Sequence, residues 1–268
     1  NTIILPRSSS TCYISLSLDH KWLFGANYFS GNIFSCSILP NGALGDIASI
    51  IQHVGSSVVT TRQSEAHAHS TNPDPSGDYL IAADLGMDQL LSYKINRDNG
   101  KLTTNPYCAY TAVPSGEGPR HLVFHPTGNY AYLSTEIGGH VIVYDYDSER
   151  GYLQQKQILS TLPNFYQGQI HVSHIGITED AKFLLVGNRG HDSIAIFAID
   201  EKSGKLELTD IATSFGHFPR HFCFDSKSNT VFIANRLSDN IAICELDTKN
   251  GKLCGLINNY PIPSPTFV

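Results

Sequence analysis

Apolar and polar residues alternate along this chain in short runs separated by turn residues. In the segment His121–Glu136 the run HLVF is followed by His-Pro-Thr-Gly-Asn and then by the run YAYLS. A period of two marks a strand, and a short Gly- and Asn-bearing turn between two such runs predicts an antiparallel hairpin. The unit recurs at equal length as YISLSLDHKWLFGANY from Tyr13, HSTNPDPSGDYLIAAD from His69, HIGITEDAKFLLVGNR from His174 and HFCFDSKSNTVFIANR from His221. A third alternating run follows each hairpin: GNIFSCSI, DQLLSYKI, GHVIVYDY, DSIAIFAI and DNIAICEL. Each repeat then has a polar turn ending in Gly-x-Leu and a weaker fourth run.

Four strands recurring about every 50 residues are the signature of propeller blades. The period of two and the Gly, Pro and Asn punctuation exclude a helical repeat. Tandem units this similar leave no reason for a boundary, so the expectation is one all-β domain over residues 1–268, a β-propeller of four-stranded blades with five repeats present. In a propeller the first strand of each blade lies nearest the axis, and its start meets the end of its neighbour at one mouth of the central channel. The pairs Tyr13/Tyr28, His69/Asp84, His121/Glu136, His174/Arg189 and His221/Arg236 are therefore expected there. Arg120 and Arg220 stand one residue earlier, and His67 adds a further imidazole.

Composition narrows the partners. Of 268 residues 41% are hydrophobic and only 16% charged, and 22 Gly, 13 Pro, 13 Tyr and 13 Phe against one Met suit short strands and tight turns. A net charge of −6 without a basic cluster excludes extended nucleic acid and anionic membrane partners. It leaves room for a local basic pocket that holds a small anion. The six cysteines form no CxxC or metal-ligand spacing and read as buried thiols of a reducing compartment. With no N-x-Ser/Thr site, no apolar run approaching the ~20 residues of a membrane helix and no signal-peptide pattern, the expected location is cytoplasmic. The chain begins Asn-Thr-Ile and its one Met is Met87, which reads as a processed, trimmed or partial product.

Several residues carry candidate chemistry, each beside a structural alternative. Histidines recurring at one blade position, His121, His174 and His221, suit strand capping as well as ligand binding. His69 differs, because Arg62-Gln-Ser-Glu-Ala-His-Ala-His is a polar loop with two imidazoles, and there the functional reading leads. Arg220 suits a salt bridge to a neighbouring blade equally well. Arg120 and Arg189 have no acidic sequence neighbour, and a guanidinium fork fits a carboxylate or phosphate. Glu136, expected among cations, suits a base. Interleaved arginines argue against a metal site, and the lack of Gly-x-Ser-x-Gly against a serine hydrolase. Gly116-Glu-Gly118 precedes a strand and is no phosphate loop, so no metal or cofactor is expected.

The motifs RQSEAHAHS with AADLGMDQL, GEGPRHLVFHPTGNYAYLSTE, GNRGHDSIAIF, and FPRHFCFD with ANRLSDNIAI span nearly the whole chain. In them the chain resembles the lactonase family of seven-bladed β-propellers, which contains propeller-type 6-phosphogluconolactonases and fungal 3-carboxy-cis,cis-muconate lactonizing enzymes. The resemblance implies seven blades, with the missing pair N-terminal. It also implies that the histidine, two arginines and glutamate proposed for the muconate enzymes fall on His69, Arg120, Glu136 and Arg189. His67, His121, His174, Arg220 and Arg236 are then expected to bind substrate. The double-histidine loop and the ADLGxD segment look more like the lactonase branch, so the expected reaction is hydrolysis of a small anionic sugar lactone, 6-phosphogluconolactone foremost. The alternatives are a carboxymuconate cyclase, which forms a lactone by isomerisation, and a non-catalytic ligand-binding propeller.

Overall fold

Each of the five predicted hairpins is present, and each is extended by further strands in chain order. The computed structural model describes residues 9–225 and 227–268. The first sheet holds β1 (Thr11–Leu16), β2 (Trp22–Asn27), β3 (Asn32–Ile38) and β4 (Leu44–Gln52). The second holds β5 (Ala68–Pro73), β6 (Tyr79–Asp84) and β7 (Gln89–Ile95). Its outer strand is broken into β8 (Leu102–Thr104) and β9 (Tyr110–Ala112), both paired with β7. The third holds β10 (Pro119–Phe124), β11 (Tyr130–Thr135), β12 (His140–Asp147) and β13 (Tyr152–Ser160). The fourth holds β14 (His171–Ile177), β15 (Phe183–Arg189), β16 (Ser193–Ile199) and β17 (Leu206–Thr213). The fifth holds β18 (Pro219–Asp225), β19 (Thr230–Asn235), β20 (Asn240–Asp247) and β21 (Lys252–Pro261). Among the described residues no helix is long and apolar enough to cross a membrane.

By its contacts the chain forms two compact units, Asn1–Ala131 with Asp145–Gln154 and Tyr132–Tyr144 with Gln155–Val268. In the first unit β5 lies beside β1 and β10, so first strands neighbour first strands. Its core is made where the alternating residues Phe24, Ala26 and Ile33 of the first sheet meet Leu80, Ala82 and Tyr93 of the second. In the second unit β14 lies beside β18, and Leu185, Ile194 and Ile196 meet Phe222, Ile233 and Ala242. These side chains are almost wholly buried, and each large one contributes about 1.5–3 kcal/mol of apolar burial.

A backbone latch ties the sheets in a repeating way. The residue just before each third strand lies in the left-handed region: Gly31, Asp88, Gly139, Asp192 and Asp239, with φ of 58°, 52°, 79°, 57° and 51°. Its carbonyl accepts the amide of the residue just past the fourth strand, namely His53, Val113, Thr161, Ser214 and Ile262. Glycine enters this region freely and aspartate more readily than most residues. Where aspartate stands there, its carboxylate also reaches onward along the chain. Asp88 accepts the amides of Gly116 and Gly118 at 2.7 Å each, and Asp192 accepts that of Phe218 at 2.7 Å. Replacing Asp88 by alanine strands the buried Gly118 amide, and an unmet buried donor costs about 1–3 kcal/mol. A urea titration of Asp88→Ala should show a loss of that size; an unchanged midpoint would mean that the latch adds nothing.

The strand register refines the alignment of the repeats. In the second sheet Ala68 pairs with Asp84, and the register shifts between Ala68 and Ser70, so His69 is the extra residue of a bulge. Matching shifts lie at Thr11/Tyr13 and Pro219/His221. His69 is thus equivalent to Cys12 and Arg220, and through the shared Pro-Arg-His to Arg120, rather than to His121. In the fourth sheet Arg189 faces His171, with His174 further along β14.

Candidate functional site

In the first unit the bulge of β5 and the start of β10 bring four expected residues together. His69 is buried, with its ring edge-on to His121 at 5.3 Å and to Tyr28 at 5.5 Å. The Cys12 sulfur stands 3.9 Å from His69 Nδ1 and donates to the His69 carbonyl at 3.3 Å. Arg120 is only 2% exposed, and its Nη1 lies 3.0 Å from Nε2 of His121. The same Nη1 lies 3.3 Å from Nδ1, so the guanidinium faces both nitrogens of this ring. Burial pushes the Tyr13 phenol up, and the nearby Arg120 charge offsets part of that rise. His67 stacks on Tyr28, with centroids 4.5 Å apart and planes 8° from parallel. Its Nδ1 donates to the Tyr28 carbonyl at 3.0 Å, which fixes the tautomer.

In the second unit the ends of β11 and β15 bring Glu136 and Arg189 into a salt bridge of 2.8 Å, each side chain 7% exposed. Arg189 Nε donates to the His171 carbonyl at 3.0 Å and Nη2 to that of Val172 at 2.9 Å, while the guanidinium lies 5.2 Å from the Phe218 ring centre. Arg189 has no acidic neighbour in sequence, and its carboxylate partner comes instead from the preceding repeat. These bonds occupy Nε and Nη2 and leave Nη1 for a ligand.

The other expected residues are placed differently. His174 and His221 stack at 4.0 Å, and His221 also packs on Phe267 at 3.9 Å and receives the Val268 amide at 3.4 Å. These are contacts among the rings of neighbouring first strands and the chain's last residues. Arg220 is half-buried, whereas Arg236 lies past the end of β19 with its side chain exposed. Asp84 turns inward and is wholly buried, so it is no mouth carboxylate. Cys12 and His53, which the sequence reading did not select, prove to adjoin this chemistry. Their signal was positional: Cys12 takes the bulge position of Arg120, and His53 follows a fourth strand.

The thiol expectation holds for only two of six cysteines. None of the six is in a disulfide; Cys36 and Cys244 are buried, Cys254 is exposed and the rest are half-buried. Burial pushes the Cys244 thiol up to about 12, which makes it inert. Among the described residues no group of three or more His, Cys, Asp or Glu side chains is arranged to hold a metal ion.

Comparison with known proteins agrees with the blade pattern. The family model described as lactonase, 7-bladed beta-propeller, matches residues 5–268. A 6-phosphogluconolactonase of Bacillus subtilis is 35% identical over 216 residues, which are 81% of this chain and 60% of that protein. The chain thus spans three fifths of that relative's length. The periplasmic gluconolactonase of Pseudomonas aeruginosa superposes with a TM-score of 0.91 at 32% identity, covering 97% of this chain and 72% of that one. A protein from Lactobacillus plantarum superposes with a TM-score of 0.90 at 30% identity, covering 96% and 73%.

Proposed function

The chain belongs to the seven-bladed β-propeller lactonase family, and from that premise we propose that it hydrolyses a small anionic sugar lactone, 6-phosphogluconolactone foremost. The observation that carries this reading is the buried Glu136–Arg189 pair, a carboxylate in a dry place beside a guanidinium with one nitrogen to spare. Water attacks the lactone carbonyl carbon while Glu136 takes its proton, and Nη1 of Arg189 offsets charge on the resulting oxyanion. The ring C–O bond then breaks, and the proton held by Glu136 passes to the departing alkoxide. The acid and the alcohol leave as one open chain, and no cofactor is consumed. By motif His69 and Arg120 of the first unit are the further candidates, Arg120 being suited to hold a phosphate, with His67 as a further imidazole. A cytoplasmic location is part of the reading, as the cysteine spacing suggested.

The test compares the purified chain on 6-phosphogluconolactone, on unphosphorylated gluconolactone and on 3-carboxy-cis,cis-muconate. Preference for the phosphorylated lactone is expected. Arg120→Ala should raise its KM about 10- to 100-fold, the worth of a hydrogen bond to a charged group. Turnover of the muconate alone would instead make the protein a cyclase, and turnover of none would leave a binding propeller. An unchanged KM in Arg120→Ala would remove Arg120 from the site.

A further inference from the structure

The step from the first sheet to the second is built differently from the two corresponding steps in the second unit. Just past the fourth strand, a side chain or carbonyl meets the last or next-to-last residue of the second strand of the next sheet. In the second unit this contact is neutral. Thr161 Oγ1 donates to Asn188 Oδ1 at 2.7 Å and accepts back through its carbonyl at 2.7 Å. Likewise Asn235 Nδ2 donates to the Ser214 carbonyl at 2.9 Å. At the equivalent place between the first two sheets stand His53 and Asp84, Nδ1 to Oδ2 at 2.7 Å, both side chains 0% exposed. A neutral pair suffices to join sheets elsewhere, so joining alone does not require this one.

Asp84 does what the asparagines do not. Its Oδ1 accepts three backbone amides, from His67 at 2.8 Å, Gly86 at 3.0 Å and Met87 at 3.2 Å. The first of these belongs to the double-histidine segment. The same segment is gripped again by the Leu85 amide, which donates to the His67 carbonyl at 2.9 Å. A side chain at Gly86 would collide with the Glu65 carbonyl, and one at Gly31 with that of Ala66, so both backbones close on the segment. Beyond His67 the chain runs directly into the bulge that presents His69. His53 orients the carboxylate: its ring stacks near Tyr93 at 6.1 Å and 11°, and its Nε2 has no hydrogen-bond partner, so its one bond goes to Asp84.

We infer that His53 and Asp84 form a buried positioning pair that fixes the backbone of the Glu65–His69 segment and thereby aims His67 and His69. This inference rests on the lactonase reading for its catalytic consequence and on backbone hydrogen bonds for its structural one, so both are measured. Hydrogen exchange of the His67 amide and kcat on 6-phosphogluconolactone are read for the full chain, for His53→Leu and for His53→Asn. The asparagine amide nitrogen stands at the same place along the side chain as Nδ1 and can keep the bond to Asp84.

His53→Leu is expected to speed exchange at His67 at least tenfold and to lower kcat about tenfold or more, since small misplacement of a reacting group is costly. His53→Asn should stay within about threefold of the parent on both readouts, as a rescued positioning bond would. Parent-like exchange in His53→Leu would overturn the inference, as would equal damage in both variants, which would make bulk packing the cause. If His53→Leu does not fold, Asp84→Asn replaces it, because it keeps size and drops the charge. Faster exchange at His67 in that variant supports the pair, and parent-like exchange overturns it. A parent chain without lactone turnover sinks the functional reading and leaves the exchange comparison to decide the pair.

Discussion

Replacing Glu136 with glutamine is expected to lower kcat for lactone opening by about 10²- to 10⁴-fold, the usual worth of a positioned general base. Glutamine keeps the size of the side chain, and its carbonyl oxygen can still accept from Arg189 Nη2, which now stands 2.8 Å from the carboxylate. The hydrogen bond and the packing therefore largely survive, while the negative charge and the capacity to take a proton are lost. A cooperative melt near the parent's, recorded on the same preparation, separates lost chemistry from lost structure. If kcat in Glu136→Gln stays within about threefold of the parent, Glu136 is not the base.

The largest stability effect should come from the other member of the pair. Arg189→Met removes the guanidinium from a carboxylate only 7% exposed and also withdraws the donors held by the His171 and Val172 carbonyls. Breaking a buried ion pair from one side costs about 3–5 kcal/mol, because the remaining charge is uncompensated. Folding free energies are only about 5–15 kcal/mol, so a urea titration reads such a loss easily. The double variant Glu136→Gln with Arg189→Met should recover much of it, since the stranded charge is gone. A loss below about 1 kcal/mol in Arg189→Met would show that water reaches the pair more freely than its burial indicates.

The hairpins were legible in the sequence because their second strands, such as Tyr79–Asp84 and Phe183–Arg189, are apolar runs bounded by turn residues. The bulge at His69 was not. The strand Ala-His-Ser-Thr-Asn-Pro is buried over its first five residues yet almost wholly polar, so no alternation marks its register. Counting from the histidines therefore aligned His69 with His121, one position away from its equivalent. The break between β8 and β9 left a trace in Asn105-Pro106, where proline denies the ladder an amide. The salt bridge of Arg189 joins residues on different repeats, and only the fold shows that Glu136 is its neighbour. His53 escaped notice because it follows a fourth strand, the run with the weakest pattern and no fixed punctuation at its end.

The central claim is that this chain opens a lactone, and the initial rate of 6-phosphogluconolactone hydrolysis tests it most directly. Acid release by the purified parent chain is followed at neutral pH against the spontaneous rate, with Glu136→Gln run in parallel. The expected result is a parent rate well above the spontaneous one and a variant rate close to it. A folded parent chain that releases acid no faster than buffer alone would contradict the account.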